Sequence, residues 1–248
     1  MEKNIKLYHY CKLSTALEYI LPSMQLRLNP FLLTNDPKEN KDFILASISD
    51  WNQNIYNHRE DSKRFCKTLR NDCKLICFSR NGRQLFGWEL LRMWATYGDR
   101  HQGVCLELDK NDFIQENHEI TSKKGNFSNI TYINPLSKFK GHIQIDYTQL
   151  EKLGEDKYLR NTFRRKFKKQ LYFTKTKEWQ SEQEVRLIHF SDNTNDEFCS
   201  INKSLRRIIL GVDFKEQYKP ALEKYFDKKI IKLEYYDGRL RPEDGIFD

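Results

Sequence analysis

Residues 179–188 read Trp-Gln-Ser-Glu-Gln-Glu-Val-Arg-Leu-Ile, a stretch that combines two nearby carboxylates with a run of apolar and β-branched side chains. The run predicts a β-strand that begins at Glu182. Because side chains alternate faces along a strand, we expect Glu182 and Glu184 on one face. Val185 and Leu187 then point toward a core. Two adjacent like charges favour protonation of one of them, which suits acid–base or cation-stabilising chemistry. An edge strand with charges on a solvated face would show the same pattern.

The composition of the 248 residues is that of a folded protein, with 38% hydrophobic and 13% aromatic side chains. This content excludes a disordered chain, and no apolar run is long enough to span a bilayer. The charged segment at residues 1–6 lacks the apolar stretch of a secretion signal. The six cysteines lack the spacing of a zinc site and are expected to be buried thiols in a reducing compartment. We therefore expect a soluble, cytoplasmic protein without membrane contact and without a bound metal.

The net charge of +8 has a local origin. Residues 157–177 contain nine Lys or Arg and no acidic residue, and the other 34 basic residues are balanced by 35 acidic ones. Basic side chains contact phosphates and the aromatic residues among them can stack on bases, so this run suits a polyanion. The expected nucleic-acid-binding residues are Arg160, Arg164, Arg165, Lys168 and Lys169. An ordinary solvated helix face is the alternative. Because the run leads into the strand at 182–188, we expect its charges near the mouth of that site.

Hydrophobic periodicity predicts one α+β domain over residues 1–248, without repeats or linkers. Strands are predicted near residues 5–10, 25–28, 74–79, 103–108, 143–147, 182–190, 207–211 and 230–236. Helices are predicted near residues 14–20, 36–69, 86–97, 159–171 and 214–226. Asp36 is expected to cap the second helix, with Glu39 reaching back to it. Pro22 is expected to end the first helix.

Several short motifs occur in an order that resembles a known family. They are His-Tyr at 9–10, L-x-L at 26–28, N-D-P-x-E at 35–39, C-F-S at 77–79, M-W-A-x-Y at 93–97, G-V-C-L at 103–106, K-x-x-x-W-x-x-E-x-E-x-R at 175–186 and I-I-L-G at 208–211. In this order the sequence resembles the bacterial domain-of-unknown-function family 2971 (DUF2971) over nearly the whole chain. The motif at 175–186 is the most specific, and its Arg186 is expected to pair with one of the two glutamates.

The layout in turn resembles the ADP-ribosyltransferase fold, a split β-sheet with flanking helices and an NAD pocket between its halves. The resemblance implies NAD as substrate and Glu184 and Glu182 as catalytic residues. Loss of nicotinamide from NAD leaves a ribosyl cation of the oxocarbenium type. Glu184 would bind the ribose 2′-hydroxyl and stabilise that cation, and Glu182 would orient or deprotonate the acceptor. The other expected NAD-binding residues are His9, Tyr10, Arg27, Ser79, Trp94, Tyr97 and Lys175. Ser79, at a strand end, can instead cap the next turn.

The expected NAD-binding residues have structural alternatives. Trp94 and Tyr97 both offer a flat face for nicotinamide, but a buried tryptophan more often packs in a core. His9 can hydrogen-bond a ribose hydroxyl or be a satisfied buried histidine. Arg27, Arg80 and Lys175 are alternatives for the pyrophosphate. The chain lacks a Gly-rich phosphate fingerprint, which argues against a Rossmann or P-loop protein.

Two hypotheses from different classes follow. The first is an NAD-dependent ADP-ribosyltransferase that modifies a nucleic acid, with single-stranded RNA favoured over DNA and a protein acceptor close behind. By analogy, such an enzyme would be a bacterial toxin in a toxin–antitoxin or phage-defence system, with an antitoxin as partner. The second is a non-catalytic nucleic-acid-binding module. A metal-dependent nuclease is a weaker third, because the sequence lacks a cluster of metal-binding carboxylates.

Overall fold

The structure, a computed structural model, describes residues 5–40, 45–47, 58–123, 126–134, 143–226 and 229–245. The strands are β1 Lys6–Cys11, β2 Gln25–Arg27, β3 Asn29–Pro30, β4 Leu45–Ser47, β5 Cys73–Arg80, β6 Val104–Asp109, β7 Phe127–Asn129, β8 Thr131–Ile133, β9 Ile143–Ile145, β10 Thr174–Thr176, β11 Glu184–Phe190, β12 Phe198–Ser200, β13 Leu205–Leu210, β14 Ile230–Tyr236 and β15 Arg239–Pro242. The α-helices are α1 Leu13–Thr15, α2 Leu21–Ser23, α3 Pro37–Asn40, α4 His58–Asn71, α5 Leu91–Thr96, α6 Lys110–Glu116, α7 His118–Thr121, α8 Tyr147–Leu153, α9 Glu155–Lys157, α10 Arg164–Tyr172 and α11 Lys219–Glu223. π-Helical turns cover Ala16–Ile20 and Tyr158–Phe163, and 3-10 turns cover Phe31–Leu33, Lys177–Glu182 and Glu216–Tyr218.

A large mixed sheet forms the centre of the fold, in the strand order β15-β14-β13-β6-β1-β5-β11-β7, with β3 also paired to β5. β13 and β14 run parallel, and the other neighbours in this sheet are antiparallel. β6 lies in the middle, and all six of its residues are buried. The predicted class, a mixed α and β protein with helices that flank a sheet, is confirmed.

The two faces of the sheet pack against separate apolar clusters. Along β5, Ile76 and Phe78 join one cluster, whereas Cys73 and Leu75 join the other. Helices α6 and α11 contribute to the first cluster, and α4, α8 and α10 contribute to the second. Because both faces are covered, the charged residues of the central strands are buried along with the apolar ones, as Glu107 and Asp109 of β6 show.

The sheet has a narrow join near its middle. β1 pairs with β6 through six residue pairs, but it pairs with β5 only at Leu7–Arg80 and Tyr8–Ser79. Beyond Tyr8 the strands diverge, and the His9 ring nitrogen Nδ1 lies 3.1 Å from the Cys77 carbonyl oxygen. The join therefore divides the sheet into two halves with an opening between them. The ADP-ribosyltransferase fold itself remains a prediction.

The start of β11 differs from the predicted strand. Glu182 ends a 3-10 turn, and Gln183 has a φ of 47°, so the strand begins at Glu184. Val185 and Leu187 point into the first apolar cluster, as predicted. β11 is not an edge strand, because it lies between β5 and β7. Its other face is not solvated either, since both Glu184 and Arg186 are buried.

Several predicted helix boundaries are wrong. The predicted helix at 36–69 is interrupted by strand β4, and its described helical parts are only α3 and α4; residues 41–44 and 48–57 lie outside the described residues. The first helical segment continues past Pro22, which occupies an early position of α2 where its missing N–H costs little. α5 begins at Leu91 rather than at residue 86, and α11 is shorter than predicted.

The cysteines and helices agree with the coarse expectations from composition. All six cysteines are free thiols, five of them buried and Cys77 partly exposed. No helix within the described ranges has the length and apolar character needed to cross a bilayer.

Candidate active site

A cavity of about 350 Å³ opens where β1 and β5 diverge. Seven residues expected at the site line it: His9, Tyr10, Ser79, Tyr97, Lys175, Glu182 and Glu184. Other lining residues include Tyr8, Pro30, Leu33, Asn35, Cys77, Met93 and Arg186. Residues from the N-terminal strand, the middle of the chain and the 175–186 motif therefore meet at one place in the fold.

The wall of this cavity contains a buried group of charges, called here the carboxylate–cation cluster and formed by Glu39, Lys175, Glu182, Glu184 and Arg186. Lys175 Nζ lies 2.9 Å from Glu182 Oε2 and 2.7 Å from Glu184 Oε2. Arg186 Nε donates to Glu184 Oε1 at 2.7 Å. Arg186 also contacts both carboxylate oxygens of Glu39, at 2.7 and 3.2 Å. Each of these side chains is at most 5% exposed.

The cluster controls the charge state of Glu184. Burial would raise the pKa of this carboxyl group, but the nearby cations Arg186 and Lys175 outweigh burial and lower the pKa to about 2. Burial would likewise lower the pKa of Lys175, but the carboxylates of Glu184 and Glu39 raise it well above its ordinary value. Near neutral pH, therefore, Glu184 is a carboxylate and Lys175 an ammonium ion. The sequence-based expectation that a carboxylate pair would favour protonation omitted these cations.

A turn, rather than the alternation of side chains along a strand, places Glu182 in the carboxylate–cation cluster. Its backbone carbonyl accepts a hydrogen bond from Ser79 Oγ at 2.8 Å, and the Arg80 N–H donates to the Gln183 carbonyl at 3.1 Å. The left-handed backbone at Gln183 then turns the chain into β11, so that Glu182 and Glu184 both contact Lys175. Ser79 is fully buried, and its hydroxyl holds this turn 103 residues away in sequence, rather than the next turn of the chain as the capping alternative had it.

Tyr97 forms the aromatic part of the wall next to Glu182. Its hydroxyl donates to Glu182 Oε1 at 3.2 Å and accepts from Asn35 Nδ2 at 3.2 Å. Burial, and then the charge of Glu182, raise the pKa of Tyr97 to about 12, so the phenol stays neutral.

His9 is held as a neutral imidazole. Burial lowers its pKa, although the hydrogen bond to the Cys77 carbonyl opposes this effect. Since a carbonyl oxygen only accepts, Nδ1 of His9 carries the proton and Nε2 is an acceptor.

Three expected NAD-binding residues have other surroundings. Trp94 is fully buried, and its Nε1 donates to the Trp88 carbonyl at 2.8 Å, so the core alternative applies. Arg27 is exposed and pairs with Asp196 at 3.3 Å, and it does not line the cavity. Lys175 lines the cavity, but its ammonium group is already held by two carboxylates, which argues against the expected pyrophosphate contact.

The basic run lies in a different position from the expected one. Arg160 and Arg164 both pair with Asp72, at 2.7 and 2.6 Å, and Arg164 is buried over the Phe190 ring. Phe190 is at the far end of β11, six residues from Glu184, or about 20 Å along the strand. These two arginines therefore lie away from the cavity mouth and stabilise the fold.

The remaining residues of the predicted nucleic-acid surface divide into two groups. Lys168 is partly buried, and its Nζ donates to Asn126 Oδ1. Arg165 and Lys169 are exposed on α10. Part of the run is thus structural, and two of the five expected residues are available to a partner.

Glu39 is a cluster residue that the sequence analysis assigned to another role. Asp36 does cap α3, since its Oδ1 accepts from the Lys38 N–H at 2.9 Å. The Glu39 carboxylate, however, turns away from the cap to meet Arg186. The glutamate of the N-D-P-x-E motif is the sequence signal for this position. It does not distinguish a capping residue from a partner of a distant arginine, because both would stand at the same place in the motif.

The fold and the cavity define a mixed α and β protein with a buried carboxylate–cation cluster beside a pocket. Residues 93–187 match the model of the family described as protein of unknown function (DUF2971), which supports the predicted family over this part of the chain. The match is shorter than the predicted resemblance, and it includes Tyr97, Lys175 and both glutamates but excludes His9. Searches of curated proteins and of solved structures gave no match.

Proposed function

We propose that this protein is an NAD-dependent ADP-ribosyltransferase. The observation that carries the proposal is the Glu184 carboxylate, which Arg186 and Lys175 hold on the wall of a partly enclosed cavity. The cluster holds three carboxylates against two cations, so its formal charge is −1. A buried excess of negative charge favours a ligand that is cationic or becomes so during reaction, since charges interact more strongly away from water.

The nicotinamide riboside part of NAD fits this environment in charge and in hydrogen bonding. Its nicotinamide ring is cationic, and the neutral Tyr97 ring offers it a face beside Glu182. The Nε2 acceptor of His9 suits a ribose hydroxyl. Glu184 suits the 2′-hydroxyl next to the reacting carbon. The nicotinamide ring and its ribose therefore each have a chemical counterpart among the residues that line the cavity.

The proposed reaction exchanges one bond for another at the ribose C1′ atom. The bond from C1′ to nicotinamide breaks, and its electron pair leaves with nicotinamide, which becomes neutral. A lone pair of the acceptor then forms a new bond to C1′, and the acceptor loses a proton to Glu182 or to water. Glu184 stabilises the cationic stage and Glu182 orients the acceptor.

The proposed acceptor is a nucleic acid, with RNA favoured over DNA, and a protein acceptor is the alternative. The exposed Arg165 and Lys169 support a polyanion partner, while Arg160 and Arg164 are already paired with Asp72 and are less available to one. By analogy we place the enzyme in the bacterial cytoplasm, as the toxin of a toxin–antitoxin or phage-defence system with an antitoxin as partner. A non-catalytic nucleic-acid-binding module is the competing function.

Labelled NAD separates the two functions. The purified protein is incubated with NAD and with total RNA, DNA or cell lysate, and both nicotinamide release and label transfer are measured. We expect Glu184→Gln to abolish both activities and Glu182→Gln to spare NAD hydrolysis more than transfer. Glu116→Gln, which changes a carboxylate that contacts Ser204 outside the cavity, is the matched control and should keep both. Circular dichroism and thermal melts confirm that each variant is folded.

The assay also has outcomes that count against the proposal. If the wild-type protein releases no nicotinamide and labels no acceptor, the binding module is favoured. If both glutamate variants lose hydrolysis and transfer equally, the division of roles between Glu182 and Glu184 is wrong.

A further inference from the structure

A second cavity, of about 290 Å³, lies on the other side of the chain segment that carries Glu182. Ser181 and Gln183 line this second cavity, whereas Glu182 and Glu184 line the first. Alternate residues of one four-residue segment therefore face the two cavities. A molecule in the second cavity would lie next to Glu182, the residue that we expect to orient the acceptor.

Arginines give the second cavity a positive character. Arg92 and Arg239 line it, and the one acidic lining residue is Glu89. Glu89 is mostly buried and already accepts a hydrogen bond from the Phe86 N–H at 2.6 Å. Arg239 follows the turn at Gly238, whose φ of 82° suits glycine and sets the arginine at the cavity edge. Guanidinium groups at such a site favour phosphate.

Arg92 also connects the second cavity with the carboxylate–cation cluster. Its guanidinium carbon lies 5.0 Å from the centre of the Trp179 ring, and Lys175 Nζ lies 5.1 Å from the same ring. Trp179 thus contacts both the exposed Arg92 of the second cavity and the buried Lys175 of the first.

The floor and rim of the second cavity suit a planar base. Leu90 and Leu240 are buried apolar lining residues, and Gln183 lines the cavity with a partly buried side chain that ends in an amide. Phe86, next in sequence to the lining residue Leu85, is 51% exposed and stacks on Trp88 with an angle of 6° between the rings. An exposed ring fixed by a second ring behind it is a suitable stacking platform for a base.

We propose that the second cavity binds one unpaired nucleotide of a single-stranded nucleic acid, with its phosphates on Arg92 and Arg239 and its base between the leucines, Gln183 and Phe86. The role of this nucleotide as acceptor rests on the proposed transferase function. Binding itself does not, because it requires no NAD. The site lies nearer to Glu182 than the predicted Arg160 and Arg164 surface, so it replaces that surface as the place where the acceptor meets the reaction.

The test measures the binding of fluorescently labelled oligonucleotides by anisotropy, without NAD, over a series of salt concentrations. Single-stranded RNA, single-stranded DNA and a duplex of the same sequence are compared. The test variant is Arg92→Gln/Arg239→Gln. The matched control is Arg100→Gln/Lys215→Gln, which removes two exposed positive charges that do not line either cavity. Phe86→Ala tests the stacking platform separately.

We expect the wild-type protein to prefer single strands to the duplex. The test variant should bind at least tenfold more weakly, and its slope of log affinity against log salt should fall by about 1.4, the value for two lost phosphate contacts on a single strand. Phe86→Ala should bind at least about fivefold more weakly. The control variant should keep the wild-type affinity.

Equal affinity of the wild type and the Arg92→Gln/Arg239→Gln variant for single strands would overturn the proposal, as would the absence of any binding. Binding of an acidic peptide in place of the oligonucleotide would also overturn it in favour of a protein partner. Nicotinamide release from NAD is measured in parallel on the wild type, so that failure of the transferase function and failure of this site are told apart.

Discussion

Glu39 and Arg186 form a two-point ion pair in the interior of the protein, at 2.7 and 3.2 Å, although 147 residues separate them in sequence. Arg186 has no exposed surface, and it also donates hydrogen bonds to the Glu184 carboxylate and the Tyr172 carbonyl. The position of Arg186, and through it the ionisation of Glu184, therefore depends on a short helix near the N-terminus.

Loss of the Glu39 charge should destabilise the protein strongly. Glu39→Gln leaves the Arg186 guanidinium with fewer compensating charges in a buried place, and breaking such a pair costs about 3–5 kcal/mol. Urea denaturation measures the free energy of unfolding, and Glu18→Gln, at an exposed position, should change it by less than about 0.5 kcal/mol. A loss below about 1 kcal/mol for Glu39→Gln would show that the ion pair adds little to stability.

The ionisation of Glu184 should make stability depend on pH in the acidic range. Its pKa in the folded protein is lowered from 4.5 to about 2, so the carboxylate stabilises the fold above pH 4.5, and this contribution is lost as the pH falls toward 2. Glu184→Gln lacks the titrating group. We expect the unfolding free energy of the wild type to fall more steeply than that of the variant between pH 4.5 and 2. Parallel curves would contradict the low pKa of Glu184.

Trp94 and Tyr97 should have opposite effects on stability and on ligand binding. Trp94→Ala removes a fully buried indole from the core, at a cost of about 3–5 kcal/mol. Tyr97→Ala should cost less stability but weaken NAD binding about fivefold or more, because the ring faces the cavity. Tyr97→Phe keeps the ring and loses only the hydroxyl's bonds to Glu182 and Asn35, so its NAD affinity should stay near that of the wild type. Chemical denaturation and NAD titration measure the two quantities, and equal NAD affinity of Tyr97→Ala and wild type would remove Tyr97 from the site.

The sequence predicted those features that depend on neighbouring residues along the chain. Strands β5, β6 and β11 were found from runs of apolar residues, and Val185 and Leu187 point to a core as the pattern required. Motif order was sufficient to bring His9, Tyr97 and Glu184 to one cavity.

Features that depend on partners distant in sequence were missed. A glutamate three residues after Asp36 fits a capping box, and only the folded chain shows that Arg186 competes for it. Arg164 and its exposed neighbour Arg165 are adjacent residues of the same type, so the sequence does not separate them. Only Arg164 is buried, because it pairs with Asp72, 92 residues away. The turn before Glu184 depends on a left-handed residue at Gln183, which a strand pattern of alternating side chains does not indicate.

The neighbours Arg164 and Arg165 should therefore respond differently to the same substitution. Arg164→Gln leaves the buried Asp72 carboxylate with one cation fewer and should lower the free energy of unfolding by about 3 kcal/mol. Arg165→Gln, at an exposed position on α10, should change it by less than about 0.5 kcal/mol. In oligonucleotide binding the order should reverse, since only the exposed arginine is available to a phosphate. Urea denaturation and fluorescence anisotropy are run on both variants. Comparable losses of stability would mean that the two arginines share one environment, in contradiction to the ion pair with Asp72.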